Sequence, residues 1–154
     1  MRKRVFICSP LRGTPSQLEA IEREVVRYAD DLRSAPDYKE ESVLAAILEK
    51  RRRLRAQLQI ANEERAEALC LEASLAGVAP FASHLFCTRF LRDEVPAERH
   101  AGIDIGGAFL AVCDELWADV RDGVSSGMEA EIAAAHSLNI EVKEKWRASD
   151  ASAT

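Results

Sequence analysis

The stretch Glu115-Leu116-Trp117-Ala118-Asp119-Val120-Arg121-Asp122-Gly123-Val124-Ser125-Ser126-Gly127-Met128-Glu129-Ala130-Glu131-Ile132 reads as a strand, a turn and the start of a helix. Residues 115 to 120 are strand-like, Arg121-Asp122-Gly123 turns the chain, and the helix runs on through Ala133-Ala134-Ala135 to about Leu138. Ser126 with Glu129 three residues later has the form of a capping box, which predicts a helix start at Ser126. The free N–H groups then cluster at Gly127, Met128 and Glu129, a geometry that favours an anion. Glu131 lies one turn in, where the helix dipole helps to keep a carboxylate ionised. An anion hole beside an ionised carboxylate suits a phosphorylated substrate. The same residues also fit an ordinary capped helix with solvated acids.

Working outward, a second strand lies near the N-terminus. Arg4-Val5-Phe6-Ile7-Cys8-Ser9 is a short apolar run that ends at Ser9-Pro10-Leu11-Arg12-Gly13. This is the pattern of a buried central strand followed by a loop. Loops at the C-terminal ends of parallel strands are where α/β proteins bind ligands. Arg12 could clamp a phosphate there, or be a surface arginine in a turn. Thr14-Pro15-Ser16-Gln17 is a helix start, followed at helical spacing by Leu18, Ile21, Val25, Ala29 and Leu32 until Ser34-Ala35-Pro36-Asp37 breaks it. A second helix begins near Glu41 and meets no breaker until Gly77. Its apolar stripe is drawn through Leu44, Ile47, Leu48, Leu54, Leu58, Ala61, Leu69 and Ala73. At about 50 Å it is too long for one compact domain, so its first half is expected to project as an arm. Lys50-Arg51-Arg52-Arg53-Leu54-Arg55 lies on that arm and reads as a solvated face paired with glutamates rather than a patch for nucleic acid.

Val78-Ala79-Pro80-Phe81-Ala82 reads as another strand, with Ser83-His84-Leu85-Phe86 at its C-terminal end. His84 could contact a substrate or move a proton, or be packed in a loop. Residues 87 to 95 read as a loop, and Pro96 starts a helix carrying Gly102, Asp104, Gly106 and Gly107. Three helical glycines imply close packing or close approach of a ligand. Asn139 suits a left-handed helix end, and Ile140-Glu141-Val142-Lys143 alternates like an edge strand. Strands alternating with helices predict a flavodoxin/Rossmann-like α/β fold, a three-layer sandwich with a four- to five-stranded parallel sheet and an inserted helical arm. Residues 1–147 form the single domain, 14–57 its helical insertion, and 148–154 a flexible tail.

Composition limits the function. A net charge of −5 over 154 residues makes nucleic acid an improbable partner, and no apolar run is long enough for a transmembrane helix, so no membrane role is expected. The basic start Met1-Arg2-Lys3-Arg4 precedes too short an apolar stretch for a signal peptide. Cys8, Cys70, Cys87 and Cys113 include no CxxC pair, and there are only three histidines, so no metal site is expected. Widely spaced reduced thiols fit a cytoplasmic protein.

Five segments in order carry a resemblance. Ile7-Cys8-Ser9-Pro10-Leu11-Arg12-Gly13 resembles the first-strand loop of the nucleoside 2-deoxyribosyltransferase-like superfamily. Asn62, Ala66, Cys70, Ala73 and Gly77 are similar, at their spacing, to the first helix of a small, often phage-encoded branch, the DUF4406-like group. Pro80 to Phe86, Cys113 to Trp117 and Ser125 to Ile132 look like its later motifs. The resemblance implies cleavage or transfer at the N-glycosidic bond of a deoxynucleoside or its 5′-monophosphate, without a cofactor. In the pattern Ser-x-Gly-x-x-x-Glu, here Ser125, Gly127 and Glu131, the glutamate is the implied nucleophile. Arg12-Gly13 and Ser125 are the implied phosphate contacts, with Ser9, Ser126, Gly127 and Met128 lining the same site. Asp104 and His84 are the candidate proton donors. The superfamily's usual second acid falls by spacing at Gly106, and the arm from about Thr14 to Gln57 interrupts what the branch normally joins directly.

Three functions are therefore expected to compete. The first is an N-glycosidase or deoxyribosyltransferase acting on a small-molecule nucleotide or nucleoside. The second is a module that binds a nucleotide or sugar phosphate without turnover. The third is an assembly or regulatory protein acting through the arm. The arm, and the superfamily's habits, lead us to expect a homo-oligomer, dimer or larger.

Overall fold

The computed structural model describes residues 1–146. The tail from Ala148, expected to be flexible, lies outside the described residues. Four strands form one all-parallel sheet in the order β2-β1-β3-β4. They are β1 (Arg4–Cys8), β2 (Ala79–Phe81), β3 (Glu115–Asp119) and β4 (Glu141–Lys145). The connecting helices are α1 (Pro15–Arg33), α2 (Glu40–Leu75), α3 (Ser83–Cys87), α4 (Pro96–Leu110) and α5 (Ser126–Ser137). This is a Rossmann- or flavodoxin-like α/β arrangement.

Strand β1 is central because its side chains are apolar on both faces. Val5, Phe6, Ile7 and Cys8 are all fully buried. Phe6 and Cys8 pack with Leu116, Ala118, Leu110 of α4, and Met128 and Ala135 of α5. Val5 and Ile7 pack on the opposite face with Leu69 and Ala73 of α2. Each buried Val, Ile, Leu, Phe or Met among them contributes about 1.5–3 kcal/mol by leaving water. The edges are less apolar. β2 has three residues with Pro80 at its middle, and β4 alternates Glu141, Lys143 and Lys145 with Val142 and Glu144, features that blunt an open edge.

Helix α1 begins as its sequence predicts. Thr14 caps it, Pro15 occupies the first turn, and Gln17 completes the capping box. Ser34 then ends it. Helix α2 is 36 residues long, about 54 Å at 1.5 Å per residue. Its C-terminal half buries Asn62, Ala66, Leu69 and Ala73 against the sheet. The N-terminal half projects past the C-terminal edge of the strands and pairs with α1, which buries Val43 of α2 and Ile21, Val25 and Ala29 of α1. The expected stripe fails there: Leu44 and Leu48 are 50% and 64% exposed. They lie on the helix face that meets the sheet further along, but the sheet ends near Asn62, so no strand lies beneath them among the described residues. The basic run is paired as expected, Lys50 with Glu24, Arg51 and Arg55 with Glu22, and Arg52 with Glu49.

Three local readings need correction. Residues 83–87 form the short helix α3 rather than a loop. β2 is shorter than the predicted run from Val78 to Ala82. Helix α5 is capped by Ser125, whose side chain accepts from Met128 N at 3.3 Å, so the Ser126–Glu129 capping box does not form. Asn139 does close α5 in the left-handed region, at φ 56°.

Candidate functional site

The strand order reverses between β1 and β3, because the chain leaves β1 towards β2 and later returns past it to β3. In open α/β sheets such a switch point opens a crevice at the C-terminal strand ends. Four segments converge there: Cys8 and Ser9 at the end of β1, Ser83 and His84 opening α3, Gly106 on α4, and Glu131 on α5.

Glu131 points inward and is partly buried. Ser83 Oγ donates to its Oε1 at 3.2 Å. Desolvation raises its pKa to about 7, although hydrogen bonds from Cys8 and Ser83 partly offset the shift. The expectation of a carboxylate kept fully ionised by the helix dipole is therefore corrected: burial outweighs the dipole, and near pH 7 both forms are populated. The Cys8 thiol, itself donating to Met128 O at 3.8 Å, is pushed up by burial and by the neighbouring Glu131, so it stays a thiol. On the other side, Ser9 Oγ lies 3.3 Å from His84 Nε2. Burial lowers the His84 pKa to about 4, so its imidazole is neutral at pH 7.

The N-terminus of α5 forms one wall. Met128 N is taken by Ser125 Oγ, and Glu129 N by Ser125 O at 2.9 Å. Among the described residues no acceptor bonds the N–H groups of Ser126 and Gly127, which leaves two donors rather than the three expected at Gly127, Met128 and Glu129. Gly106 forms the wall beside Ser83, where an added Cβ would lie 3.2 Å from Ser83 Cβ.

Two predicted residues are elsewhere. Asp104 is exposed on α4, with its side chain 70% accessible and His100 at 3.9 Å. Two residues are about 200° of helical turn, so Asp104 faces solvent where Gly106 faces the site. Arg12 is exposed and held outward by the side chain and carbonyl of Asp93. Gly13 is buried in the turn behind it at φ 108°. Of the predicted residues, Glu131, Ser9 and His84 come together at this crevice beside the Ser125–Gly127 start of α5, whereas Met128 turns its side chain into the core and Arg12 and Asp104 do not enter it. Ser83 and Cys8 were not predicted as site residues.

A family model described as a domain of unknown function, DUF7768, matches residues 54–145. The chain belongs to the DUF7768 family. The match begins inside α2 and ends with β4, so it holds Ser83, His84, Gly106, Ser125 and Glu131. It omits β1 and the arm tip, although β1 lies between two of the matched strands. No curated protein matches this DUF7768 chain.

Sequence reasoning also missed a buried ionic cluster on the other side of the β3 loop. Asp119 is fully buried at the end of β3. Arg65 of α2 donates to it through Nε and Nη2, each at 2.5 Å, and Arg121 through Nε at 3.0 Å and Nη2 at 2.9 Å. Burial opposes the charged form of Asp119, yet the Arg121 and Arg65 bonds outweigh it and hold the pKa below its usual value. A signal existed: an acid inside an apolar strand run requires a cation, and Arg65 falls on the inward stripe of α2 between Asn62 and Ala66.

Two open concavities lie away from this crevice, on the arm. One, of about 410 Å³, is lined by Arg23, Arg27, Tyr28 and Lys50, and the other, of about 660 Å³, by Pro15, Leu18 and Val26. Neither touches Glu131. Among the described residues no group of three or more His, Cys, Asp or Glu side chains could hold a metal ion, and no helix is long and apolar enough to cross a membrane.

The two buried titrating groups have opposite effects on stability. Glu131 has a raised folded pKa, so the native state binds the extra proton between about pH 4.5 and 7, and stability rises as pH falls through that window. His84 has a lowered one, so stability falls as pH drops from 6.5 towards 4. The wild type is expected to be nearly flat in urea stability between pH 6.5 and 4.5. Glu131→Gln removes one limb and should lose stability steadily over that range, by up to about 1.4 kcal/mol per pH unit. A flat variant would show that His84 is not buried as described.

Proposed function

We propose that this protein cleaves, or transfers across, the N-glycosidic bond of a deoxynucleoside 5′-monophosphate, with Glu131 as the nucleophile. The nucleoside 2-deoxyribosyltransferase-like resemblance belongs to the same proposal. One arrangement supports it: an inward-facing glutamate, held by Ser83, at the crevice where the β1 loop and the N-terminus of α5 meet. The ionised Glu131 attacks the anomeric carbon, and the carbon–nitrogen bond breaks with its electron pair leaving on the base. A glycosyl ester forms, which water or a second base resolves by attack at the same carbon, returning the carboxylate. Ser125 and the Ser126 and Gly127 N–H groups would receive the phosphate. Ser9 and the neutral His84 would hydrogen-bond the sugar.

The departing base requires a proton. Asp104 faces solvent away from the crevice, and His84 is neutral at pH 7, so neither supplies it. In this scheme the proton comes from water, which favours bases that leave readily. Incubation with a panel of deoxynucleoside 5′-monophosphates, read by chromatography, tests the scheme. Free base should appear, with a rate that rises through about pH 7 as Glu131 ionises. Absence of product across the panel would sink it.

A second reading is binding of the same nucleotide without turnover. The observation favouring it is that Gly106 occupies the wall where a second acid would stand. Thermal stabilisation by a nucleotide that is recovered intact would distinguish it from catalysis.

A further inference from the structure

The arm was expected to serve assembly, yet its base is wired into the two loops that border the Glu131 crevice. Asn62 is 2% exposed, and its Nδ2 donates to Leu11 O, in the β1 loop, at 3.2 Å. Its Oδ1 accepts from Gln17 Nε2 at 3.2 Å. The same Gln17 Nε2 donates to Asp122 Oδ2, in the β3 loop, at 3.2 Å, while Gln17 Oε1 accepts from Thr14 N at 2.9 Å. Ser16 Oγ donates to Asp122 O at 2.8 Å. Arg65 ties the assembly down, because Nη1 donates to Asp122 Oδ2 at 2.5 Å while the rest of the guanidinium holds Asp119. The β1 loop is pressed onto α2 as well, since an added Cβ on Gly13 would lie 2.6 Å from Leu58 Cδ2.

We propose that Asn62, Gln17 and Asp122 are positioning residues that lock the β1 loop and the β3 loop at one separation, so that Ser9 and the Ser125–Gly127 turn face the same phosphorylated ligand. This rests on the reading of the Glu131 crevice as a nucleotide site. The physical reason is that, among the described residues, no hydrogen bond joins the β1 loop to the β3 loop directly, so their separation is set through Asn62 and Gln17. One glutamine amide bonding both Asn62 and Asp122 makes the two loops move as a unit. An arm that carries this clamp is part of the site, although none of its side chains reaches Glu131.

The test compares the full-length wild type with Asn62→Leu, which keeps the volume but loses both hydrogen bonds, and with Gln17→Met. Hydrogen exchange of the free proteins should speed up on the order of tenfold at residues 9–14 and 120–126 together, leaving β1, β3 and the C-terminal half of α2 protected. With deoxynucleoside 5′-monophosphates as probes, KM should rise roughly tenfold at near-constant kcat, and KM for the unphosphorylated deoxynucleoside, which meets Ser9 but not the Ser125–Gly127 turn, should rise by less. A general loss of structure would raise neither constant selectively. Faster exchange in only one loop, unchanged exchange in both, or a fall in kcat with KM unchanged overturns the proposal. If the wild type turns over no nucleotide, the catalytic reading fails, while the paired exchange still decides this one. If Asn62→Leu does not fold, Gln17→Met at its half-buried position carries both measurements.

Discussion

Glu131→Gln is expected to abolish base release while making the fold more stable. The substitution keeps the shape and leaves an oxygen to accept from Ser83, but removes the nucleophile, so activity should fall on the order of 10³-fold or more. Stability should move the other way. Above pH 7 the wild type holds an ionised carboxylate that burial disfavours, whereas glutamine is neutral. The folded pKa of about 7 against an ordinary 4.5 corresponds to about 3 kcal/mol, so at pH 8 the variant should resist urea better by an amount of that order. Below pH 4.5 the difference should vanish. Residual activity close to wild type would remove Glu131 from the chemistry. An inactive variant with no gain at pH 8 would keep its catalytic role but remove the desolvation argument.

Asp119→Ala should cost more than any other single change considered. The side chain is fully enclosed, and both Arg65 and Arg121 depend on it. Removing one member of a buried ion pair costs about 3–5 kcal/mol, and here two of the three Arg65 bonds and both side-chain bonds of Arg121 go, although Arg65 keeps Asp122. In a chain of this length each kcal/mol lowers the melting temperature by about 2–4 °C, so a fall of roughly 6–20 °C is expected. Asp119→Asn retains the shape and one acceptor and should cost less. Combining Asp119→Ala with Arg65→Met should recover part of the loss, because the guanidinium left with only Asp122 is gone. Additive effects in that double variant would show that the two side chains act independently.

Elements with strong local signals were legible in the sequence. Thr14-Pro15-Ser16-Gln17 specified its capping box, Pro96 started α4, and Asn139 closed α5, because each depends on neighbours within four residues. The apolar run of β1 fixed its place at the centre of the sheet. The start of α5 was misread by one residue, since Ser125 and Ser126 are equally good caps by residue type and it is Ser125 that accepts from Met128 N. Of the candidate site, the glutamate, the histidine and the serine that caps α5 were singled out from the sequence, and the fold brings them to one crevice. Asp104 was the right helix and the wrong face. The hydroxyl that holds Glu131 comes from Ser83, 48 residues away, and the Arg65–Asp119 bond spans 54, distances at which no local pattern carries information. The protonation of Glu131 was misjudged for the same reason, because desolvation is supplied by walls that only tertiary structure assembles.

The central place of β1 also sets an order of events when the chain is made. Phe6 pairs with Phe81 on one side and Leu116 on the other, so β1 leaves the ribosome before either of the strands that enclose it. Until some seventy residues more have been synthesised, Val5-Phe6-Ile7-Cys8 has no edge to join, and such unpaired apolar strands invite aggregation. The α1–α2 hairpin, by contrast, needs only its own neighbours and can form early. Arg2, Lys3 and Arg4 precede the exposed strand as a cluster of like charges, the kind of flank that keeps nascent copies apart until their sheet can close.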